Sequence, residues 1–208
     1  MSQNRKRPIY HFIKRAFDLC ASAVLFILIL PFWLILDVVI YIDDPHGSPI
    51  FTQMRVGKNG KLFKLYKFRT MVVNAEDILH ELKDKNEMDG PVFKIKDDPR
   101  ITKIGKFLRK TSLDELPQLL NVIKGDMSLV GPRPALPSEV AEYTEEQKIR
   151  LSVTPGVTCY WQVQPKRNTL TFDQWVALDK KYIEEQSVLT DLKILFMTVG
   201  AVVNKEGM

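Results

Sequence analysis

The chain has 208 residues, of which 45% are hydrophobic and 26% charged, so it suits one folded domain and wholesale disorder is excluded. Its net charge of +5 favours an anionic partner such as nucleic acid, phospholipid headgroups or a phosphorylated small molecule. Residues 1–42 carry +3 of that charge and the remainder only +2, which is weak for a nucleic-acid binder. Two unpaired cysteines and three scattered histidines favour neither a disulfide framework nor a zinc site.

An apolar segment lies near the N-terminus. Leu19–Leu36 contains eighteen residues without a charge, which reaches the lower limit for spanning a bilayer. No small-residue cleavage site follows the segment, so a signal peptide is disfavoured. The basic residues that precede it place the N-terminus in the cytoplasm by the positive-inside rule.

Pro31 lies within this apolar segment and predicts a kink, because proline removes one helix hydrogen bond and crowds the preceding turn. Two topologies are compatible with such a kink. A single kinked span would export everything after residue 42, whereas a re-entrant helix would dip into one leaflet and return to the cytoplasmic face. The spacing alone does not choose between them.

The next predicted element is a β-hairpin formed by residues 49–56 and 61–69. Asn59 and Gly60 supply the positive φ angles that a tight turn requires. Lys67 and Arg69 fall on one face of the second strand. They form either a solvated basic face or a contact to a phosphate or headgroup.

The pattern then predicts a series of further elements. These are helices over 74–88, 103–110, 138–153, 171–186 and 190–204, and a short strand over 91–96. The last helix is amphipathic, so it either packs on the core or lies in the bilayer interface.

The adjacent carboxylates Asp114 and Glu115 have a purely structural interpretation. Ser112 and Glu115 match a capping box at a helix start. Pro117 would then be the fifth helical residue and would clash, whereas with Asp114 as the cap it would be the third. Either arrangement places both acids at a helix N-terminus.

The same acids also suit chemistry on a phosphate. An ionised Asp114 could attack phosphorus, and Glu115 could hold Mg²⁺ together with substrate phosphates. Arg109 and Arg133 could neutralise charge on the phosphoryl oxygens, with Arg133 fixed in a stiff Gly-Pro-Arg-Pro segment. No Walker or dinucleotide-binding glycine loop is present in the sequence.

The sequence resembles the bacterial sugar transferase family, the monotopic polyprenyl-phosphate phosphoglycosyl transferases of the undecaprenyl-phosphate sugar phosphotransferase type. The resemblance covers nearly the whole chain. It rests on Lys14–Asp18, the apolar segment with its proline, Phe51–Gly57, Tyr66–Met71, Thr111–Leu120, Gly125–Pro134, Pro155–Thr158 and Asp191–Ile194.

The resemblance implies transfer of a sugar 1-phosphate from a nucleotide diphosphate sugar, expected to be a UDP-sugar, to polyprenyl phosphate, with release of UMP. It assigns Asp114 as the nucleophile, Glu115 as the Mg²⁺ ligand beside it, and Arg109 and Lys67 as phosphate-binding residues. Arg133 is assigned to the phosphates of the nucleotide sugar. The resemblance also favours the re-entrant helix, with Pro31 as its break.

We therefore expect an α+β, mainly helical fold with a re-entrant membrane helix over 1–42 and a cytosolic catalytic domain over 43–208. The family would place the protein at the bacterial inner membrane, in contact with phospholipid, as the minimal catalytic form. The oligomeric state, a homodimer included, stays open. Two rivals are a non-enzymatic membrane-anchored binding module that uses the basic hairpin, and a single-span protein with an external hydrolase domain.

Overall fold

A computed structural model describes residues 7–82, 84, 86–93, 95, 97–165 and 167–203. The fold is mixed, with helices surrounding two small sheets. The α-helices are α1 (Pro8–Asp43), α2 (Ala75–Leu82), α3 (Lys103–Thr111), α4 (Gln118–Lys124), α5 (Pro137–Ala141), α6 (Phe172–Glu185) and α7 (Val188–Val203). The strands are β1 (Ile50–Val56), β2 (Leu62–Phe68), β3 (Ser128–Val130) and β4 (Gly156–Thr158).

Helix α1 is continuous over 36 residues and runs through Pro31. The break predicted at Pro31 therefore does not interrupt the helix. Pro31 nevertheless has no N–H to donate to the carbonyl of Ile27, so one helix hydrogen bond is missing. In the described part of the chain, α1 is the one helix that is long and apolar enough to cross a membrane. Only 11% of its most apolar window is buried in the protein, so most of that surface is exposed.

Both halves of α1 contact the same body of the protein. In the first half, the Asp18 carboxylate accepts from the Leu129 N–H at 3.2 Å, and Arg15 donates to the Val122 carbonyl at 2.6 Å. At the other end, Asp44 forms an ion pair of 2.9 Å with Arg69, which follows β2. These contacts attach α1 near both ends of its apolar stretch.

Residues far apart in the chain meet around Asp191, near the start of α7. Lys14 forms an ion pair with Asp191 at 2.9 Å, and the hydroxyls of Tyr10 and Tyr182 donate to the same carboxylate at 2.9 and 2.8 Å. This cluster joins the beginning of α1 to α6 and α7.

Strands β1 and β2 form the predicted antiparallel hairpin, in which Phe51 is paired with Lys67 and Arg55 with Phe63. Asn59 and Gly60 have φ angles of 57° and 81°, so the predicted turn is confirmed. The face that carries Gln53, Arg55 and Lys67 is turned toward the protein. Lys67 is therefore directed inward rather than lying on a solvated basic face.

Strands β3 and β4 form a short parallel pair that the sequence pattern did not predict. Two glycines permit the close approach that follows. A Cβ on Gly156 would lie 2.0 Å from the Gly131 nitrogen, and a Cβ on Gly131 would lie 2.4 Å from the Thr154 carbonyl oxygen. This packing places the segment after β3, which carries Arg133, against the turn before β4.

Three predicted elements are confirmed, with boundaries shifted by one or two residues: α3, α6 and α7. Helix α7 leaves Leu189 and Phe196 79% and 76% exposed, so one apolar face is not covered by the protein. Residue 204, the predicted end of α7, lies outside the described residues.

Three other predictions need correction. The helix predicted over 74–88 ends at Leu82, because the Asn86 side chain instead binds the backbone of Met88 and Val92. The helix predicted over 138–153 is interrupted: α5 ends at Ala141, and Gln147–Ser152 form a 3₁₀ helix. Thr144 and Gln147 bond reciprocally through side chains and backbone just before this second segment. No strand forms at residues 91–93 and 95, and residues 94 and 96 lie outside the described chain.

The predicted division into a membrane segment over 1–42 and a catalytic domain over 43–208 stays a prediction.

Candidate active site

The two carboxylates lie in a 3₁₀ turn, Leu113–Glu115, between α3 and α4. Ser112 has a φ of 57° and ends α3 in the left-handed conformation, donating its N–H to the Arg109 carbonyl. Its side chain makes no capping bond, and Pro117 rather than Asp114 precedes the first residue of α4. Both predicted capping arrangements are therefore wrong, and the carboxylate side chains project toward β2 instead.

Lys67 connects this turn to the hairpin. Its Nζ lies 2.8 Å from Glu115 Oε1 and 3.7 Å from Asp114 Oδ2. Arg133 approaches the same Glu115 oxygen, with its Nη1 at 3.3 Å. Four of the residues predicted from the sequence thus meet in one cluster, drawn from β2, the turn after α3, and the segment after β3.

Arg109 lies beside the cluster and is held by a different partner. Its Nε donates to the Thr70 hydroxyl at 3.0 Å, and Thr70 follows β2. Burial lowers the pKa of Arg109, and the negative charge of Asp114 opposes that shift. Arg109 therefore acts on Asp114 through its charge rather than through a direct ion pair.

The environments of the two acids differ. Burial would raise the pKa of Glu115, but Lys67 and Arg133 together lower it to about 2, so Glu115 is ionised. Burial raises the pKa of Asp114, which is 8% exposed, and the adjacent Glu115 raises it further while Lys67 opposes the shift. Lys67 is the charge that most favours the ionised form of Asp114.

The oxygen ligands of the site suit a divalent cation only in part. Among the described residues, no cluster of three or more His, Cys, Asp or Glu side chains could hold a metal ion alone. Asp114 and Glu115 do offer hard oxygens side by side, and Mg²⁺ is often held by one or two carboxylates together with substrate phosphates and water. The residues therefore fit an ion that arrives with a phosphate.

A shallow recess, open to solvent, adjoins the cluster and is lined by Lys67, Glu115, Gln118, Arg133 and Arg55. Sequence analysis missed Arg55, which lies on the inward face of β1 and is 9% exposed. Strand alternation could have found it, because a hairpin pairing places residues 53 and 55 on the same side as Lys67.

Arg55 is held by neutral acceptors. Its Nη1 donates to the Pro134 carbonyl at 3.1 Å and its Nη2 to Gln53 Oε1 at 2.7 Å. Burial and the positive charge of Arg133 lower the pKa of Arg55 to about 10. The guanidinium nevertheless stays charged at neutral pH.

The cluster has the composition of a phosphate-handling site, with two carboxylates among several cations at the rim of a recess. Comparison with known proteins agrees with this chemistry. Residues 9–205 match the family model described as bacterial sugar transferase, and the chain belongs to that family.

Several named proteins are similar to the chain. A galactosyl transferase, CpsE, of Streptococcus agalactiae serotype III is 54% identical over 75% of this chain and 35% of its own length. An undecaprenyl-phosphate galactose phosphotransferase of Salmonella typhimurium is 43% identical over 100% of this chain and 44% of its own length. The exopolysaccharide production protein ExoY of Rhizobium meliloti is 40% identical over 97% of this chain and 90% of its own length.

The chain thus spans less than half of the length of the first two relatives, but most of the length of ExoY.

Proposed function

We propose that the protein transfers a sugar 1-phosphate from a nucleotide diphosphate sugar, a UDP-sugar, to undecaprenyl phosphate. The observation that carries this proposal is the cluster in which Lys67 contacts both Asp114 and Glu115 while Arg133 contacts Glu115. The names of the relatives support the class of reaction, since one of them is an undecaprenyl-phosphate galactose phosphotransferase. The product would enter exopolysaccharide, capsule, O-antigen or glycoconjugate assembly.

The reaction proceeds in two displacements at one phosphorus atom. An Asp114 oxygen attacks the phosphorus that bears the sugar, and the bond to the bridging oxygen breaks. The electron pair leaves on that oxygen, so UMP departs and the sugar phosphate remains bound to Asp114 as an acyl phosphate. An oxygen of undecaprenyl phosphate then attacks the same phosphorus and releases the Asp114 carboxylate.

The cations divide this work between them. Lys67 stabilises the ionised form of Asp114 before attack, because its ammonium lies 3.7 Å from the carboxylate. Arg109 and Arg133 flank the carboxylates and offset the charge on the phosphoryl oxygens. Glu115, with its pKa near 2, keeps a negative charge at any physiological pH.

We assign Mg²⁺ as the cofactor, held by Glu115 and Asp114. When bound, the ion would screen the negative charges of the two substrates. This assignment rests on the adjacent carboxylate oxygens and on a chemistry that brings phosphate oxygens to complete the ligand set.

The membrane arrangement that suits this reaction is a re-entrant α1 at the cytosolic face of the inner membrane. Its support is that Asp18 and Arg15 contact the catalytic body at one end of the apolar stretch and Asp44 contacts it at the other. A helix that carried the chain across the bilayer would separate those contacts on opposite sides. Pro31, which lacks one helix hydrogen bond, is the place for a bend.

The decisive experiment incubates the purified protein with a panel of UDP-sugars, undecaprenyl phosphate and Mg²⁺, and measures release of UMP. Asp114→Asn should abolish turnover while membrane binding persists. Asp77→Asn, on the exposed first turn of α2, is the matched control and should leave turnover unchanged. Absence of UMP release with every donor would overturn the assignment.

The same variant separates the rival class, a non-enzymatic anchored module. Such a module would keep its function in Asp114→Asn, because recruitment through the basic hairpin needs no nucleophile. Loss of turnover with retained membrane binding would exclude it.

A further inference from the structure

Among the charged residues that line the recess, Arg55 has no role in the proposed reaction. It is buried between β1 and the segment after β3, and it lines the recess together with Lys67, Glu115 and Arg133. Lys67 and Arg133 each bind a carboxylate directly. In the described part of the chain, Arg55 forms no ion pair with any carboxylate, and its guanidinium donates to a carbonyl and to an amide oxygen.

Burying a guanidinium without a counter-ion costs free energy, because the lost hydration is offset only when an anion and good hydrogen bonds replace the water. The neighbouring positive charge of Arg133 adds to that cost. Its Nε also has no hydrogen-bond partner. The protein therefore holds Arg55 in a state that a bound anion would stabilise.

The position of Arg55 indicates which anion this is. Its strongest charged neighbours are Arg133, Glu139 and Glu115, whereas those of Asp114 are Lys67, Glu115 and Arg109. The contact of Arg55 Nη1 with the Pro134 carbonyl, next to Arg133 in the chain, places Arg55 on the Arg133 side of the site. A second shallow recess, open to solvent, shares Arg133 and Pro134 with the first and is lined by neither Lys67, Glu115 nor Arg55.

We propose that Arg55 binds the phosphate of the leaving nucleoside monophosphate. This inference rests on the proposed function and deepens it by assigning a residue to the leaving group. When the bond between the sugar-bearing phosphorus and the bridging oxygen breaks, the electron pair and negative charge pass to that oxygen. Arg55 offsets the charge that develops there. Arg133 would lie between the two phosphates of the donor.

The test measures binding of UMP and of uridine by titration calorimetry, with Mg²⁺ present, for the wild type, Arg55→Gln, Arg55→Lys and Lys64→Gln. Arg55→Gln should bind UMP about tenfold or more weakly, the loss of a charge-assisted hydrogen bond, while uridine binding is unchanged. Arg55→Lys should recover part of the UMP affinity. Lys64→Gln removes the same charge from the exposed face of β2 and should bind UMP like the wild type.

Turnover gives an independent reading. The inhibition constant of UMP as a product should rise in Arg55→Gln by the same factor, while the KM for undecaprenyl phosphate changes by less than about twofold. Circular dichroism and thermal unfolding establish that each variant is folded.

Two results would overturn the inference. One is a UMP affinity of Arg55→Gln within about twofold of the wild type, which would leave Arg55 only as an anchor for the Pro134 carbonyl. The other is an equal loss of UMP and uridine binding, which would indicate a distorted recess. A failure of the proposed function is distinguishable, because it would appear as wild-type protein that binds UMP but releases none from any donor.

Discussion

At the scale of single residues, Lys67 matters most because it lies between Asp114, the proposed nucleophile, and Glu115. Asp114 is poorly solvated and lies beside a second carboxylate, so both effects favour its neutral form. The ammonium group opposes them at 3.7 Å. Under the proposed mechanism, attack by Asp114 therefore depends on Lys67 staying charged and in place.

Lys67→Gln should lower kcat and move the acid limb of the kcat–pH profile to higher pH. Removing an opposite charge within a few ångströms raises a carboxyl pKa by about one to three units, so the ionised fraction of Asp114 is lost at a higher pH than in the wild type. The measurement is kcat against pH, with Lys64→Gln as the control. A lowered kcat with an unmoved acid limb would contradict this role.

Thr70 should act as a positioning residue for Arg109. Thr70→Val keeps the shape but removes the hydroxyl that accepts from Arg109 Nε at 3.0 Å, so the guanidinium loses its orientation. We expect kcat/KM to fall about tenfold, comparable to the loss of one charge-assisted hydrogen bond. Thr70→Ser retains the hydroxyl and should restore most of the activity. An equal loss in both variants would indicate packing instead.

The residues of the site divide into those that the sequence predicts and those that it does not. Asp114, Glu115 and Arg133 stand out because they cluster in a short, turn-rich stretch, and Lys67 because it shares a basic strand with Arg69. Arg55 and Thr70 carry no such local signal. Their roles depend on which strand face turns inward and on contacts with α3 and with the segment after β3.

At the scale of elements, the site depends on close contact between the segment after β3 and the turn before β4. Gly156→Ala would place a Cβ 2.0 Å from the Gly131 nitrogen, a backbone atom that cannot move aside without displacing the segment that carries Arg133. We expect destabilisation of at least about 2 kcal/mol. Denaturant unfolding measures it, and Gly200→Ala, where nothing lies within 4 Å, should be no less stable than the wild type.

The loop before α3 should contribute stability that acid removes. Burial opposes ionisation of Asp98, but its hydrogen bonds to Arg100 outweigh burial and lower the pKa of Asp98 in the folded protein. Its contribution is therefore complete above the unfolded pKa near 4 and is lost as the pH falls through the lower folded value. Asp98→Asn should lower the Tm at pH 7, and the difference from the wild type should shrink toward pH 3. A difference that does not change with pH would contradict the assignment.

Sequence analysis predicted elements best where the local signal was complete. The hairpin turn is an example, because Asn59 and Gly60 are the residues that adopt positive φ most readily. Where the helical pattern failed, local hydrogen bonds competed with the helix: Thr144 and Gln147 bind each other's backbone between α5 and the 3₁₀ helix Gln147–Ser152. The three-residue strands β3 and β4 exist only through their mutual contact, which no local pattern encodes.

At the scale of the whole molecule, the position of α1 follows from contacts between residues more than a hundred positions apart. Asp191 binds Lys14 and Tyr10, and Leu129 binds Asp18. The spacing of the apolar residues alone therefore left a crossing helix and a re-entrant one open, and only the family resemblance favoured the second. The contacts at both ends of the apolar stretch favour the re-entrant arrangement, since one folded body holds them both.

That arrangement makes a direct prediction about the two ends of α1. Cysteines introduced at Ile9 and Ile42, which are 75% and 74% exposed, should react with a membrane-impermeant maleimide from the same, cytosolic side. The background is Cys20→Ser, because Cys20 is exposed while Cys159 is buried. Inverted membrane vesicles should label at both positions and intact spheroplasts at neither. Labelling of the two positions from opposite sides would establish a crossing helix, and the contacts of Asp18 and Asp44 with one body could then not coexist in the membrane.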